Sequence, residues 1–377
     1  MIAPSPQLDT LSTYGLLDAL PDGAYLTDRD RRIIFWNSAA ERITGWSREE
    51  VVGLHCADNI LVHVDKDGHQ LCAHTNCPLY RAMETGTSSE HPILVFAQSK
   101  SGSRIPVEVS VAPLRDTDNE VIGGVEIFRD MTSTVRDLNR ARDIQKQSLQ
   151  FTPISDPRLQ IAALCTPHDL IGGDFLHVES LDVDRYAVFL ADVTGHGVAA
   201  ALYTMQLRSL CEEHRDKFSS PVDFLAALNT RLHTLGNQND YFATAAHFVI
   251  NAATGAVNYA CAGHESPLLV QPDSIIIQLN HKDPCLGLFS DTTFHGNRTH
   301  LANNASLLLF TDGAIEINNA DGQELGVDGF CGILNEQDFH DPDVALAQIE
   351  SKLLQYSTHL RFPDDMTLLC IRRTTAV

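Results

Sequence analysis

The stretch Ala191-Asp-Val-Thr-Gly-His-Gly-Val-Ala-Ala-Ala-Leu-Tyr-Thr-Met205 decides how the second half of this 377-residue chain is read. The apolar run at 186–191 predicts a buried strand that delivers Asp192 to its end. Gly195 and Gly197 permit a tight turn, and the small residues from Val198 to Ala201 open a helix. A carboxylate at a strand end, followed by a glycine turn and a helix start, is a common way to hold a hard cation against a phosphate. The same pattern also fits an ordinary strand-to-helix connection whose aspartate caps the helix. Residues elsewhere in the chain decide between the two.

Working outward, strand-like runs fall at 159–165, 243–250, 256–261, 275–279, 306–311 and 366–372. Helical periodicity appears at 198–214, 221–235 and 343–356. Strands set between long helices argue for a layered α/β sandwich with helices outside. Four acidic positions sit where an apolar strand meets a turn of small residues. Asp174 follows Gly172-Gly173, and Asp192 opens the organising stretch. Asp312 ends the apolar run 307–310 and precedes Gly313, while Asp364-Asp365 stands directly before the last strand. Carboxylates gathered from several strand ends repel one another unless a dication joins them, and two metals on such a cluster suit phosphoryl chemistry. Adjacent side chains diverge in an extended segment, so one of the last pair is expected to ligate, and Asp364 is preferred.

These residues carry a resemblance. Ile171-Gly-Gly-Asp-Phe175, Ala191-Asp-Val-Thr-Gly-His-Gly197, Ala200-Ala-Leu202, Tyr241-Phe-Ala-Thr244, Ala260-Cys-Ala-Gly-His264 with Pro267, Leu286-Gly287, Phe310-Thr-Asp-Gly313 with Glu316, and Pro363-Asp-Asp-Met-Thr367 resemble the stage-II-sporulation branch of the metal-dependent serine/threonine phosphatases. The resemblance covers essentially all of 140–373. It implies an αββα sandwich with a binuclear Mn²⁺ or Mg²⁺ site and hydrolysis of phosphoserine or phosphothreonine by a metal-activated water. It further implies that Asp192 bridges both ions and the Val193 carbonyl completes one shell. Asp174 would hold that ion, and Asp312 and Asp364 the other. The implied substrate is a phosphorylated anti-sigma-factor antagonist in a partner-switching pathway. His196 is the nearest candidate in sequence to protonate the leaving group, though its place in the turn equally suits a role in stabilising that turn; His264 has similar standing. One departure stands out. The family often carries an acid where this chain has His177, which predicts altered metal affinity.

The region 12–130 reads as an α+β unit. Leu16, Leu17 and Leu20 suggest a short opening helix; strands follow at 24–28 and 32–36, helices at 38–44 and 48–52, and strands at 92–98, 104–114 and 121–129. In the fourth strand Ile105, Val107, Val109 and Val111 alternate with Pro106, Glu108 and Ser110, as in a half-buried antiparallel strand. Leu17 to Asp28, Ile33 to Trp46 and the exit Phe128-Arg-Asp-Met-Thr132 resemble a PAS sensory domain, which implies a five-stranded sheet cupping a ligand. Residues 131–152 carry no strand signal and predict a helical linker. Met131, Val135, Leu138 and Leu149 form a seam that fits a dimeric coiled coil through PAS and linker, although Arg142 and Gln145 weaken it. A single amphipathic helix is the competing reading. The remainder, 153–377, is the phosphatase-like domain.

Between the short helices and the third strand lie His55, Cys56, His63, His69, Cys72, His74 and Cys77. Cys56, Cys72 and Cys77, with His63 or His74, have spacing suited to a zinc or iron–sulfur site. Thiol redox sensing, or simple packing of small side chains, remains open beside it.

Composition narrows the partners. The net charge of −22 repels nucleic acid and anionic lipid, so neither is expected. No apolar run approaches the ~20 residues that span a bilayer. Residues 1–11 lack the pattern of a signal peptide, and the nine cysteines are odd in number, with Cys165, Cys261 and Cys370 set in apolar runs like packed, reduced thiols. A cytoplasmic protein is expected. Two functions follow: a sensor-regulated protein phosphatase, or a non-catalytic sensory and docking protein with a degenerate phosphatase fold. The alternative of a cyclic-dinucleotide synthase, suggested by Gly172-Gly-Asp-Phe175, lacks the acid that its signature places between Asp and Phe.

Overall fold

The computed structural model describes residues 13–375 apart from 59, 67, 73–75, 90, 150–153, 155, 196, 237–241, 282 and 358–361. The chain forms two compact units that divide between Asp137 and Leu138. Among the described residues no helix is long and apolar enough to cross a membrane.

The N-terminal unit begins with α1 (Thr13–Asp18), β1 (Gly23–Asp28), β2 (Ile33–Trp36), α2 (Ser38–Thr44) and α3 (Arg48–Val51). It continues through α4 (Pro78–Thr85), β3 (Ile93–Gln98), β4 (Arg104–Arg115) and β5 (Val121–Asp130). The five strands make one antiparallel sheet in the order β2-β1-β5-β4-β3. Asn37 fixes the start of α2: its Oδ1 accepts from the amides of Ala40 at 2.8 Å and Ala24 at 2.9 Å, so the helix cap also ties β1 in place. Helix α4 falls within the Cys- and His-bearing stretch between α3 and β3, for which the sequence analysis predicts no helix. Its boundaries were legible, with Pro78 at the first turn and Gly86 in the left-handed conformation (φ 68°) closing the end. A side chain at Gly124 would press within 2.6 Å of Leu79, so a glycine in β5 lets α4 lie close on the sheet.

Helix α5 (Thr132–Leu149) runs across the division between the units. The C-terminal unit then contains β6 (Leu159–Thr166), β7 (Asp174–Ser180), β8 (Arg185–Val193), α6 (Val198–Glu213), α7 (Pro221–Gly236), β9 (Ala243–Asn251), β10 (Ala256–Ala262), β11 (Leu268–Val270), β12 (Ile276–Gln278), β13 (Asn297–His300), β14 (Ser306–Phe310), α8 (Gly326–Asn335), α9 (Pro342–Tyr356) and β15 (Met366–Arg373). Two five-stranded sheets result, β13-β10-β9-β8-β7 and β12-β11-β14-β15-β6. Strand alternation explains the layers. Leu176, Val178, Val188, Leu190, Phe248 and Tyr259 of the first sheet meet Leu307, Leu309, Leu369 and Ile371 of the second in the inner core. Phe175, Phe189 and Ala191, one residue out of phase, face Leu207, Phe224 and Leu228 of α6 and α7. Leu308, Phe310 and Leu368 face Phe330, Leu346 and Ile349 of α8 and α9. The architecture is an αββα sandwich.

Several expectations need correction. Strand β7 was missed because His177, Glu179 and Ser180 interrupt its apolar signal, and β11 and β13 because each is only three or four residues long. Helix α8 was missed because Gly326, Gly329 and Gly332 give it poor intrinsic propensity; burial of Phe330 and Leu334 holds it instead. All nine cysteines are free thiols, but Cys165 is exposed, not packed. It lies near the end of β6, the edge strand of its sheet.

Candidate active site

Asp192 sits near the end of β8, an inner strand of the first sheet beside its edge strand β7. In the β7–β8 register it stands directly opposite Asp174, the first residue of β7. Even spacing from Leu190 and Leu176 turns both carboxylates toward the second sheet. The second sheet supplies the other acids at the same end of the sandwich. Asp312 begins a short 3₁₀ turn after β14, and Asp364 precedes β15.

Glycines bring these segments together. A side chain on Gly173 would crowd Ala200 at 3.1 Å and the Val193 carbonyl at 3.2 Å; one on Gly313 would collide with the Asp365 carbonyl. Gly195 and Gly197 both have φ of 81°, which L side chains resist, so they turn the chain from Asp192 into α6.

Asp364 and Asp365 have different tasks. Asp365 is buried, and its carboxylate accepts from the amides of His168 at 2.7 Å and Gly173 at 2.5 Å. It therefore ties the β15 side to the Gly172-Gly173 loop. Asp364 Oδ1 accepts from the Asp365 amide at 2.8 Å, and its charge acts on both Asp192 and Asp312. Thr311 Oγ1 donates to Asp174 Oδ2 at 3.0 Å and accepts from the Thr367 amide at 2.9 Å, linking the two sheets beside the acids.

The electrostatics are those of like charges held together. Burial first, then Asp365 and Asp312, push the Asp174 carboxyl far up; burial and then Asp174, Asp312 and Asp364 do the same to Asp192. Asp312 is pushed up to about 6 by burial, Glu316, Asp364 and Glu265. Glu265 was not singled out in the sequence, although it directly follows the Gly263-His264 pair. Asp174 Oδ1 is shut off from solvent with no hydrogen-bond partner. An unpartnered carboxylate oxygen amid other carboxylates, with an all-oxygen donor set, fits a hard dication such as Mn²⁺ or Mg²⁺. As placed, no three His, Cys, Asp or Glu side chains among the described residues close on a metal position.

Other candidates fall elsewhere. His196 lies outside the described residues. His264 is buried; its Nδ1 meets Thr244 Oγ1 at 2.8 Å, and burial pulls the ring down to about 3. It steadies Thr244, which pairs with Asp192 across the β8–β9 register. His177 is three residues from Asp174 along β7 and so faces the helices, packing edge-on against Phe218. It has no place among the acids, so the altered metal affinity expected of this position does not follow from it. Gln145, read only as a flaw in a coiled-coil seam, donates to the Gly172 carbonyl at 2.8 Å and to Thr204 Oγ1 at 2.9 Å.

The N-terminal unit gathers a second polar cluster. Cys56, Cys72, Cys77, His63 and Glu126 are all buried, whereas His74 lies outside the described residues. Burial pushes Glu126 up to about 8 and the Cys72 thiol up to about 12, and pulls His63 down to about 4. Glu126 escaped notice in the sequence. Its signal was a charge between Gly124 and Phe128, on the inward register of an apolar strand.

Comparison with known proteins agrees with this architecture. Residues 182–374, slightly more than half of the chain, match the family described as stage II sporulation protein E, and residues 21–133 match a PAS domain family. The phosphoserine phosphatase RsbP of Bacillus subtilis is 32% identical over 63% of this chain, which spans 58% of that relative's length. The solved RsbU and RsbW domains of Rv1364c from Mycobacterium tuberculosis are 26% identical, with a TM-score of 0.50 over 58% of this chain and 61% of theirs. The SiaA-PP2C domain of Pseudomonas aeruginosa superposes with a TM-score of 0.55 at 22% identity, over 64% of this chain and 97% of that domain, a likeness of fold.

Proposed function

The chain belongs to the stage II sporulation protein E family, and from that premise we propose that it is a PAS-regulated, metal-dependent protein phosphatase acting on phosphoserine or phosphothreonine. The observation that carries the proposal is the gathering of Asp174, Asp192, Asp312 and Asp364 from two sheets, with the carboxyls of Asp174, Asp192 and Asp312 pushed up by burial and by neighbouring acids. Asp192 would stand between two Mn²⁺ or Mg²⁺ ions, with the Val193 carbonyl and Asp174 on one side and Asp312 and Asp364 on the other. When bound, such a pair supplies water acidification and neutralises charge on the phosphoryl oxygens. The chain's own part is positional. Asp365 and Thr311 fix the strand ends that carry the acids, and His264 holds Thr244 beside Asp192. His196 remains our candidate for protonating the leaving serine or threonine oxygen.

We propose a phosphorylated anti-sigma-factor antagonist as the substrate class, as the family resemblance implies. The competing reading, a non-catalytic docking protein, would need a departure among the acids, whereas His177 lies on the helix-covered face away from them. Release of phosphate from a small aryl phosphate in Mn²⁺ tests the proposal against the Asp192→Asn protein. Loss of about 10²-fold or more is expected on removing so central a carboxylate. Equal rates would overturn it.

A further inference from the structure

Six polar side chains from separate stretches meet inside the N-terminal unit, in what is otherwise an apolar core of Ile33, Trp36, Val95, Val107 and Phe128. Tyr25 comes from β1 and Glu126 from β5, paired across the sheet. Cys56 follows α3, His63 and Cys72 lie in the loop beyond it, and Cys77 caps α4. Each is at most 4% exposed.

The groups address one another. His63 Nε2 is 3.6 Å from Glu126 Oε1, and the His63 amide donates to Cys72 Sγ at 3.1 Å. Each of the three thiols lies within electrostatic range of Glu126, and Cys56 also senses Cys72 and Cys77. The backbone of Leu79 and Tyr80, at the start of α4, offsets part of the upward push that burial gives the Cys77 thiol. Amide donors aimed at cysteine sulfur are the outer support that thiolate ligands of metals usually have.

The cluster is incomplete as a purely structural device. Tyr25 reaches the Glu126 carboxyl, yet Glu126 Oε1 is buried with no hydrogen-bond partner, and the 3.6 Å separation from His63 is too long to supply one. A buried carboxyl oxygen left this way destabilises the fold. Apolar residues of similar size would have filled the same space without that cost. Sulfur donors beside a carboxylate and an imidazole select a soft or borderline ion, unlike the oxygen-only aspartates of the other unit.

We infer that the core of the N-terminal unit is a binding site for one thiophilic divalent metal ion, with Cys56, Cys72 and Cys77 as ligands and the His63–Glu126 pair closing the remaining side. As placed, no three of these donors converge on one point, so loading requires rotation of the Cys72 and Cys77 side chains.

Cobalt titration of the full chain, purified anaerobically, tests the site. Wild-type protein should bind one Co²⁺ with a thiolate-to-cobalt charge-transfer band, and Asp192→Asn should keep that band. Cys72→Ser and Cys77→Ser should lose it while retaining the wild-type circular dichroism spectrum. Glu126→Gln should weaken cobalt binding by about 10- to 100-fold, as loss of a supporting carboxylate does. Because a serine variant can lose binding by misfolding, a second measurement uses the unaltered chain: alkylation of Cys56, Cys72 and Cys77, followed by mass spectrometry, should slow when Zn²⁺ is added. A wild-type protein without the band, a band that survives both serine substitutions, or alkylation indifferent to zinc would overturn the inference. Acid-labile sulfide bound with the thiols would overturn it too, by replacing the single ion with a cluster.

Discussion

Asp365 shows how one carboxylate can govern a site without facing its chemistry. It spends both oxygens on backbone amides, at His168 and Gly173, and so joins segments nearly 200 positions apart. Asp365→Ala is expected to destabilise the C-terminal unit by about 1.5–3 kcal/mol, the range for hydrogen bonds to a charged group. At this size that lowers the melting temperature by several degrees, roughly 2–4 °C per kcal/mol, and the affinity for Mn²⁺ should fall with it. An unchanged melting temperature would contradict the role. The acids also dictate a pH dependence. Asp174 and Asp192 are raised above their unfolded values, so the folded state keeps protons that the unfolded chain has released, and stability falls as pH rises through their folded values. Below about pH 6.5 the buried, lowered histidines His63, His247 and His264 pull the other way, since they must charge in the unfolded chain. The informative window is therefore about pH 7 to 9. In chelator, the melting temperature of the C-terminal unit should decline across it; Mn²⁺ or Asp192→Asn should flatten the decline. A rise in chelator would refute the assignment.

Among the elements, α5 reaches the acid-bearing segments through one side chain. Gln145 clamps Gly172 from both sides of its peptide unit, donating to the carbonyl at 2.8 Å and accepting from the amide at 3.4 Å. It also reaches Thr204 of α6, the helix that grows out of the Asp192 turn. One side chain thus binds the end of α5 both to the Gly172-Gly173 loop and to α6. Gln145→Ala should raise the Mn²⁺ concentration needed for half-maximal phosphate release several-fold. An unchanged metal requirement would show the contact to be incidental. The rest of the α5 seam does less, since Val135 is its one buried residue among those described.

At the scale of the molecule, two units with separate cores should melt separately. Calorimetry of the full chain should resolve two transitions in chelator. Mn²⁺ should raise only the one belonging to the C-terminal unit, and Asp192→Asn should abolish that shift without touching the other. A single transition that moves as a whole with Mn²⁺ would be inconsistent with independent units. The strong negative charge makes the acidic face costly in the absence of cations, so the gain on adding Mn²⁺ should shrink as monovalent salt screens the carboxylates.

The sequence by itself determined the strands and helices with strong periodicity, the glycine turns, and the placing of Asp174, Asp192, Asp312 and Asp364 at element ends. Those are local properties: alternation, caps and turn residues report the backbone around them. Only the tertiary structure decided that Asp365 is consumed by amides while Asp364 looks toward Asp312, that His177 turns to the helices, and that Cys165 is exposed. It also put Glu126 among three thiols. Each of those outcomes depends on the register between strands far apart in the chain, and no window of neighbouring residues encodes which distant side chain will face a given one.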